Sequence, residues 1–138
     1  MLARRLVETG VRFVEVQLGG WDMHNGVFEG MATRGATLDQ GLSALLSDLE
    51  RTGKIDDTMV VVASEFGRTP EIKAGRVGRD HHPSAFSAFF AGGGIKQGYV
   101  HGKSDERAHY VEEKGVDVPS INATIAYAMG LSIEKITY

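Results

Sequence analysis

Two residues of metal-ligand type lie close together in the stretch LGGWDMHNG, residues 18–26, where Asp22 and His24 follow a run of strand-forming residues. Carboxylate oxygens and imidazole nitrogens are common ligands of divalent metals. Asp22 and Asn25 beside glycine are also frequent turn formers, so a polar turn is the alternative. The spacing therefore predicts either part of a metal site or a turn.

Two further polar clusters follow along the chain. Glu65 and Arg68 come directly after the apolar run TMVVVAS, residues 58–64. The third cluster, GRDHHP at residues 78–83, contains Asp80, His81 and His82. Oxygen and nitrogen ligands suit Zn or Mn, with Mg or Ca as further candidates. We expect the metal ligands among Asp22, His24, Glu65, Asp80, His81 and His82, with Arg68 as a catalytic contact to an anion.

Each cluster also has a structural interpretation. Glu65 could cap a helix beginning near Thr69, because an acidic side chain is favourable at a helix N-terminus. The adjacent histidines of GRDHHP could lie in a solvated loop. Arg68 and Arg79 could pair with nearby carboxylates instead of binding a substrate. The joint arrangement favours function more than any single motif.

The composition limits the partners and the chemistry that the chain can have. The 138 residues carry a net charge of −3, so a nucleic acid partner is not expected. The chain has no cysteine, which excludes disulfides and thiolate chemistry within it. Its apolar runs are shorter than the roughly 18 to 20 residues that span a bilayer, so no membrane span is predicted.

The hydrophobic pattern predicts an α/β fold with a mostly parallel sheet flanked by helices. Apolar spacing predicts three helices, at residues 1–9, 37–51 and 119–129. Strands are predicted at residues 11–18 and 58–64, with a third apolar run at 84–94. We expect one domain over residues 1–138, with the polar clusters at the carboxyl edge of the sheet. An open sheet edge would favour a homo-oligomer.

The motifs WDMH, EFGRTP and GRDHHP, in this order, resemble the C-terminal part of the bacterial DUF1501 family, and the similarity extends over nearly the whole chain. That family is grouped with the sulfatase-like, alkaline-phosphatase superfamily. The resemblance implies a partial alkaline-phosphatase-like fold, with these residues forming the C-terminal part of a larger α/β domain. It also implies a metal-dependent hydrolase of small anionic phosphate or sulfate esters, in a periplasmic or exported location.

By the same resemblance, Asp22 and His24 belong to one metal site, and Glu65 replaces a superfamily aspartate. Phe66 falls where a second histidine is usual, and either His81 or His82 supplies a late histidine ligand. The superfamily nucleophile comes from a first strand that has no counterpart in these residues. The alternative is a non-catalytic, metal-stabilised binding or assembly protein with a degenerate site.

Overall fold

A computed structural model describes residues 2–132 and 134 of the chain. This part contains three helices: α1 at Leu2–Glu8, α2 at Val27–Arg51 and α3 at Val118–Ala128. It also contains six strands of two or three residues: β1 at Val60–Val62, β2 at Gly67–Arg68, β3 at His81–His82, β4 at Phe89–Ala91, β5 at Lys103–Ser104 and β6 at Val111–Glu113. Among the described residues, no helix combines the length and the apolar character that crossing a membrane requires.

The predicted helices are present, and the second is longer than its leucine pattern indicates. Helix α2 begins at Val27 rather than Thr37 and ends at Arg51, followed by Gly53 in the left-handed conformation with φ 68°. Leu49, near its C-terminus, is fully buried. Helix α3 has Asp117 as its N-cap, and the Asp117 carboxylate accepts a hydrogen bond from the Ser120 backbone N–H at 2.8 Å.

The predicted parallel sheet flanked by helices is wrong, and with it the partial alkaline-phosphatase-like fold. The strands pair only as antiparallel two-stranded sheets within the described residues: β1 with β4, β2 with β3, and β5 with β6. Val60 lies opposite Ala91, so the two apolar runs form strands but run in opposite directions. The chain reverses between these runs through the β2–β3 hairpin, and a hairpin connection produces antiparallel pairing.

The predicted strand at residues 11–18 is also wrong. No strand is assigned there, although the sequence alternates as a strand should. In the part of the chain that the structure describes, residues 12–20 make no backbone-to-backbone hydrogen bond. Phe13 and Val16 are exposed. A strand is stabilised by a backbone ladder with a partner strand, and this segment has no such ladder, so its alternating pattern alone does not make it a strand.

Candidate metal centre

A loop from the middle of the chain holds the Asp22–His24 turn against the start of helix α2. The Gly26 backbone N–H donates to the Arg76 carbonyl at 3.2 Å, and the Val27 N–H donates to the Val77 carbonyl at 2.8 Å. Gly26 is in the left-handed conformation, with φ 57°, and as a glycine it has no side chain with which to cap the helix. The carbonyls of the loop therefore satisfy N–H groups at this helix end.

The same loop brings the histidine motif to this turn. The Arg79 backbone N–H donates to the Met23 carbonyl at 3.1 Å. Gly78 is buried against the His24 backbone, where a Cβ atom would lie 2.0 Å from the His24 carbonyl oxygen. Only glycine allows this approach. Backbone contacts thus fix the distance between the two parts of the site.

The β2–β3 hairpin carries the remaining side chains of the site. Arg68 is paired with His81 across the two strands. The hairpin is extended by a hydrogen bond from the Thr69 N–H to the Asp80 carbonyl, at 2.9 Å. The Arg79 guanidinium donates to the carbonyls of Thr69, at 2.6 Å, and of Pro70. Arg79 therefore stabilises the hairpin itself, through backbone carbonyls and not through the carboxylates that its structural interpretation expected.

Three side chains converge on one point and form what we call the three-ligand group: Asp22, His24 and His81. Asp22 Oδ1 lies 3.0 Å from His24 Nε2 and 2.9 Å from His81 Nε2. The two Nε2 atoms lie 3.3 Å apart. Ligands at zinc bond lengths of about 2.0 to 2.1 Å are separated by about 3.3 Å along a tetrahedron's edge. The spacing and the donor types fit a divalent metal such as Zn or Mn.

The two ring nitrogens of His24 face different carboxylates: Nδ1 faces Asp80, and Nε2 faces Asp22. Its Nδ1 lies 3.0 Å from Asp80 Oδ1, so Nδ1 carries a proton and donates it to that carboxylate. In neutral His24 the Nε2 atom then presents a lone pair to Asp22 Oδ1. Two lone pairs at this distance repel unless a proton or a cation lies between them. Metal-binding histidines typically have such a carboxylate on the outer nitrogen.

Asp80 is held in turn by a cation from the intervening loop. Its second oxygen, Oδ2, pairs with the Lys73 ammonium group. The pKa of Asp80 is lowered chiefly by the hydrogen bond from Lys73 and then by that from His24. Asp80 lies on the outer side of the His24 ring, away from the three-ligand group. Nothing in the sequence pattern singled out Lys73, which lies in a polar loop.

The electrostatics of Asp22 favour its ionised form. Hydrogen bonds from His81 and then Arg68 hold the pKa of its carboxyl at about 2. The closest Arg68 nitrogen lies 2.7 Å from Asp22 Oδ1. Asp22 is therefore a carboxylate, the form that binds metals, over the whole range in which proteins are ordinarily studied.

An aromatic ring covers one side of the three-ligand group. The Phe66 and His81 ring centroids lie 4.4 Å apart, and the Arg68 guanidinium carbon lies 5.9 Å from the Phe66 centroid. Phenylalanine cannot bind a metal. Within residues 2–132 and 134, one group of three converging ligand residues is found. This arrangement fits a single metal ion better than a pair.

The other residues predicted for the site lie outside the three-ligand group. Glu65 is exposed. His82 Nε2 lies 2.7 Å from the His109 carbonyl oxygen, so this nitrogen carries a proton that it donates to the backbone. His109 in turn contacts Glu71 Oε1 at 2.5 Å. The two hydroxyls nearby are also engaged, since Ser64 and Thr69 donate to the carbonyls of Phe66 and Glu71.

Comparisons with known proteins identify the family of the chain but not its activity. The DUF1501 family model, described as "Protein of unknown function", matches residues 1–138. The comparisons with curated proteins and with solved structures found no match.

Proposed function

Since the chain belongs to the DUF1501 family, whose description gives no activity, we propose that it binds one divalent metal ion and hydrolyses small anionic phosphate or sulfate esters. The geometry of the site supports the metal ion, and the resemblance to sulfatase-like proteins supports the ester class. The observation that carries the proposal is the convergence of Asp22 Oδ1, His24 Nε2 and His81 Nε2 within 2.9 to 3.3 Å of one another. Zn or Mn suits this donor set best.

Three protein ligands favour a reactive metal over a purely structural one. Structural zinc sites usually have four protein ligands, whereas catalytic sites have three and leave a position open. The side chains of Asp22 and His81 are 64% and 48% exposed, so a small substrate can reach them. A bound metal would supply Lewis acidity to an ester oxygen.

The surrounding residues have distinct roles in this proposal. Asp80 orients His24 so that Nε2 points at the three-ligand group, and Lys73 holds Asp80. Arg68, beside Asp22, supplies a planar cation that matches the oxygens of a phosphate or sulfate group. The positive charge of Arg68 would favour an anionic ester over a neutral one.

The resemblance to sulfatase-like proteins supports the ester class and a periplasmic or exported location. It supports neither a two-metal mechanism nor a serine or threonine nucleophile at this site. Ser64 and Thr69 donate their hydroxyl protons to backbone carbonyls. We therefore assign no nucleophile to the described residues.

The second candidate is a non-catalytic, metal-stabilised binding or assembly protein. The specific observation in its favour is Phe66, whose ring lies 4.4 Å from that of His81, where the superfamily resemblance expects another histidine. In this alternative, the metal would link the Asp22 turn to the β2–β3 hairpin and stabilise the fold without turnover.

The test is turnover of a panel of aryl phosphates and aryl sulfates by the protein loaded with Zn or Mn. The hydrolase proposal predicts turnover that a chelator removes, that His81→Ala abolishes and that His82→Ala retains. His82 is the matched control because it is the adjacent histidine in the same strand. Stoichiometric metal binding with no turnover of any substrate in the panel would favour the second candidate.

A further inference from the structure

One oxygen atom, Asp22 Oδ1, is contacted by three groups at once. Arg68 NH2 lies at 2.7 Å, His81 Nε2 at 2.9 Å and His24 Nε2 at 3.0 Å. A carboxylate oxygen offers about two lone-pair directions to its partners. A metal ion in the three-ligand group and the Arg68 guanidinium would therefore be two cations at the same oxygen, and they would repel each other there.

We infer that the Arg68–Asp22 ion pair is a switch: Arg68 leaves Asp22 when a metal binds the three-ligand group, and the freed guanidinium becomes a binding site for a tetrahedral oxyanion. The inference rests on the proposed metal site and adds an order of events, with the metal first and the anion second. Without metal, Arg68 is neutralised by Asp22 and binds anions poorly.

Charge supplies the driving force for the release. A divalent cation within bonding distance of Asp22 would repel a guanidinium bound to the same oxygen. Arg68 has other contacts that keep it nearby, since its NH1 lies 3.4 Å from the Arg79 carbonyl oxygen and its guanidinium faces the Phe66 ring. Its donors match two oxygens of a sulfate or phosphate group.

Competition predicts the sign of a coupling. If Arg68 and the metal compete for Asp22, removing the guanidinium must raise metal affinity, because the linkage between two binding events is reciprocal. If Arg68 instead orients Asp22 for the metal, the same substitution must lower metal affinity. The two accounts therefore predict opposite results for one variant.

The first measurement is a zinc titration of the wild type and Arg68→Gln. We expect Arg68→Gln to bind zinc at least about 5-fold more tightly than the wild type does, which is the lower end of typical coupling between two sites. Arg76→Gln is the control, since it removes the same charge from an exposed residue of the adjacent loop; we expect its affinity to stay within about 2-fold. Weaker zinc binding by Arg68→Gln would overturn the inference.

The second measurement follows the Arg68 Nε–H resonance during a sulfate titration at constant ionic strength. We expect metal-free Asp22→Asn to bind sulfate at Arg68 at least about 5-fold more tightly than the metal-free wild type. Glu65→Gln is the control, because it removes an exposed carboxylate outside the three-ligand group and leaves the Arg68–Asp22 pair in place. Zinc-loaded wild type should bind sulfate at Arg68 more tightly than the metal-free protein.

The outcomes separate this inference from the proposed hydrolase. Zinc binding with the expected sulfate coupling but without turnover would leave the switch standing and defeat the hydrolase. Turnover with equal sulfate affinity at Arg68 in metal-free and zinc-loaded protein would defeat the switch and leave the hydrolase. Equal sulfate affinity in metal-free wild type and Asp22→Asn would also defeat the switch.

Discussion

His81 and His82 are adjacent in the two-residue strand β3, and they have different surroundings. His81 lies with its Nε2 between Asp22 and His24 and has the ring of Phe66 beside it. His82 lies with its Nε2 on the His109 carbonyl, and the His82 and His109 rings meet edge to face with centroids 5.9 Å apart. Successive side chains of a strand point to opposite faces, so this division is expected of the backbone.

The difference shows that the hydrogen-bond partner decides what a histidine can do. His82 Nε2 donates a proton to a carbonyl oxygen, so it has no lone pair to offer a metal from that nitrogen. His81 Nε2 faces a carboxylate and another imidazole, and a metal could replace the proton between them. One histidine therefore belongs to the three-ligand group, and the other attaches residues 105–110 to the hairpin.

The largest expected effect on zinc affinity comes from removing one member of the three-ligand group to which His81 belongs. His24→Ala should lower zinc affinity by more than about 100-fold, because the loss of a direct ligand exceeds the 10- to 100-fold typical of an outer residue. Calorimetric titration measures it, with circular dichroism as the check on folding. Zinc affinity unchanged in folded His24→Ala would contradict the assignment of the three-ligand group.

Asp80 should have the next largest effect, although its carboxylate contacts His24 Nδ1 and not the group's centre. We expect Asp80→Asn to lower zinc affinity by about 10- to 100-fold through looser orientation of His24. The Nδ1–H resonance of His24 should shift or broaden as its charged acceptor is lost. Were Asp80 irrelevant to His24, both the affinity and the resonance would stay as in the wild type.

The pH dependence of zinc affinity should arise from the histidine ligands and not from Asp22. The pKa of Asp22 is held at about 2, so that carboxyl is ionised at every pH well above this value, and any stability it contributes is lost only as pH falls toward 2. Protons compete with zinc for imidazole nitrogens, so zinc affinity should fall as the pH is lowered. Affinity that stays constant down to pH 5 would exclude imidazole ligands.

Substitution of His82 should lower the stability of the fold but leave metal binding almost unchanged. His82→Ala removes a hydrogen bond to the His109 carbonyl, so we expect the free energy of unfolding to fall by about 1 kcal/mol. Urea denaturation of the metal-free protein measures this loss. The same variant should keep zinc affinity within about 2-fold. A much larger change in zinc affinity would show that the two histidines are not separated in function.

Glu65 should have the smallest effect on metal binding. It was predicted from sequence as a ligand, and it lies exposed and outside the three-ligand group. Glu65→Gln keeps the size of the side chain and removes its charge, so zinc affinity should stay within about 2-fold. A loss of 10-fold or more would indicate that Glu65 moves into the site when metal binds, giving a fourth ligand.

The helices were predictable from sequence, and the sheet was not. The leucine spacing of residues 37–51 predicts a helix without reference to any distant segment, because a helix makes its backbone hydrogen bonds within itself. Gly30 and Gly35 weaken that signal earlier in α2, where carbonyls of residues 76 and 77 receive its first N–H groups. Strand pairing depends on which distant segment lies alongside, and no pattern within residues 11–18 contains that information.

The candidate site was predictable as a set of residue types but not as a geometry. Asp22, His24 and the histidine pair were identified from their spacing in loops. The separation of His81 from His82 depends on the register of a two-residue strand, which the sequence left open. The roles of Lys73 and of the Glu71–His109 contact arise from a loop conformation with no motif.

The most direct test of the central claim is a calorimetric zinc titration of the wild type, His81→Ala and His82→Ala, each shown to be folded. We predict about one zinc ion per chain for the wild type and for His82→Ala, with affinities within about 2-fold of each other. His81→Ala should lose more than about 100-fold. No zinc binding by the folded wild type, or equal losses in both variants, would contradict the account.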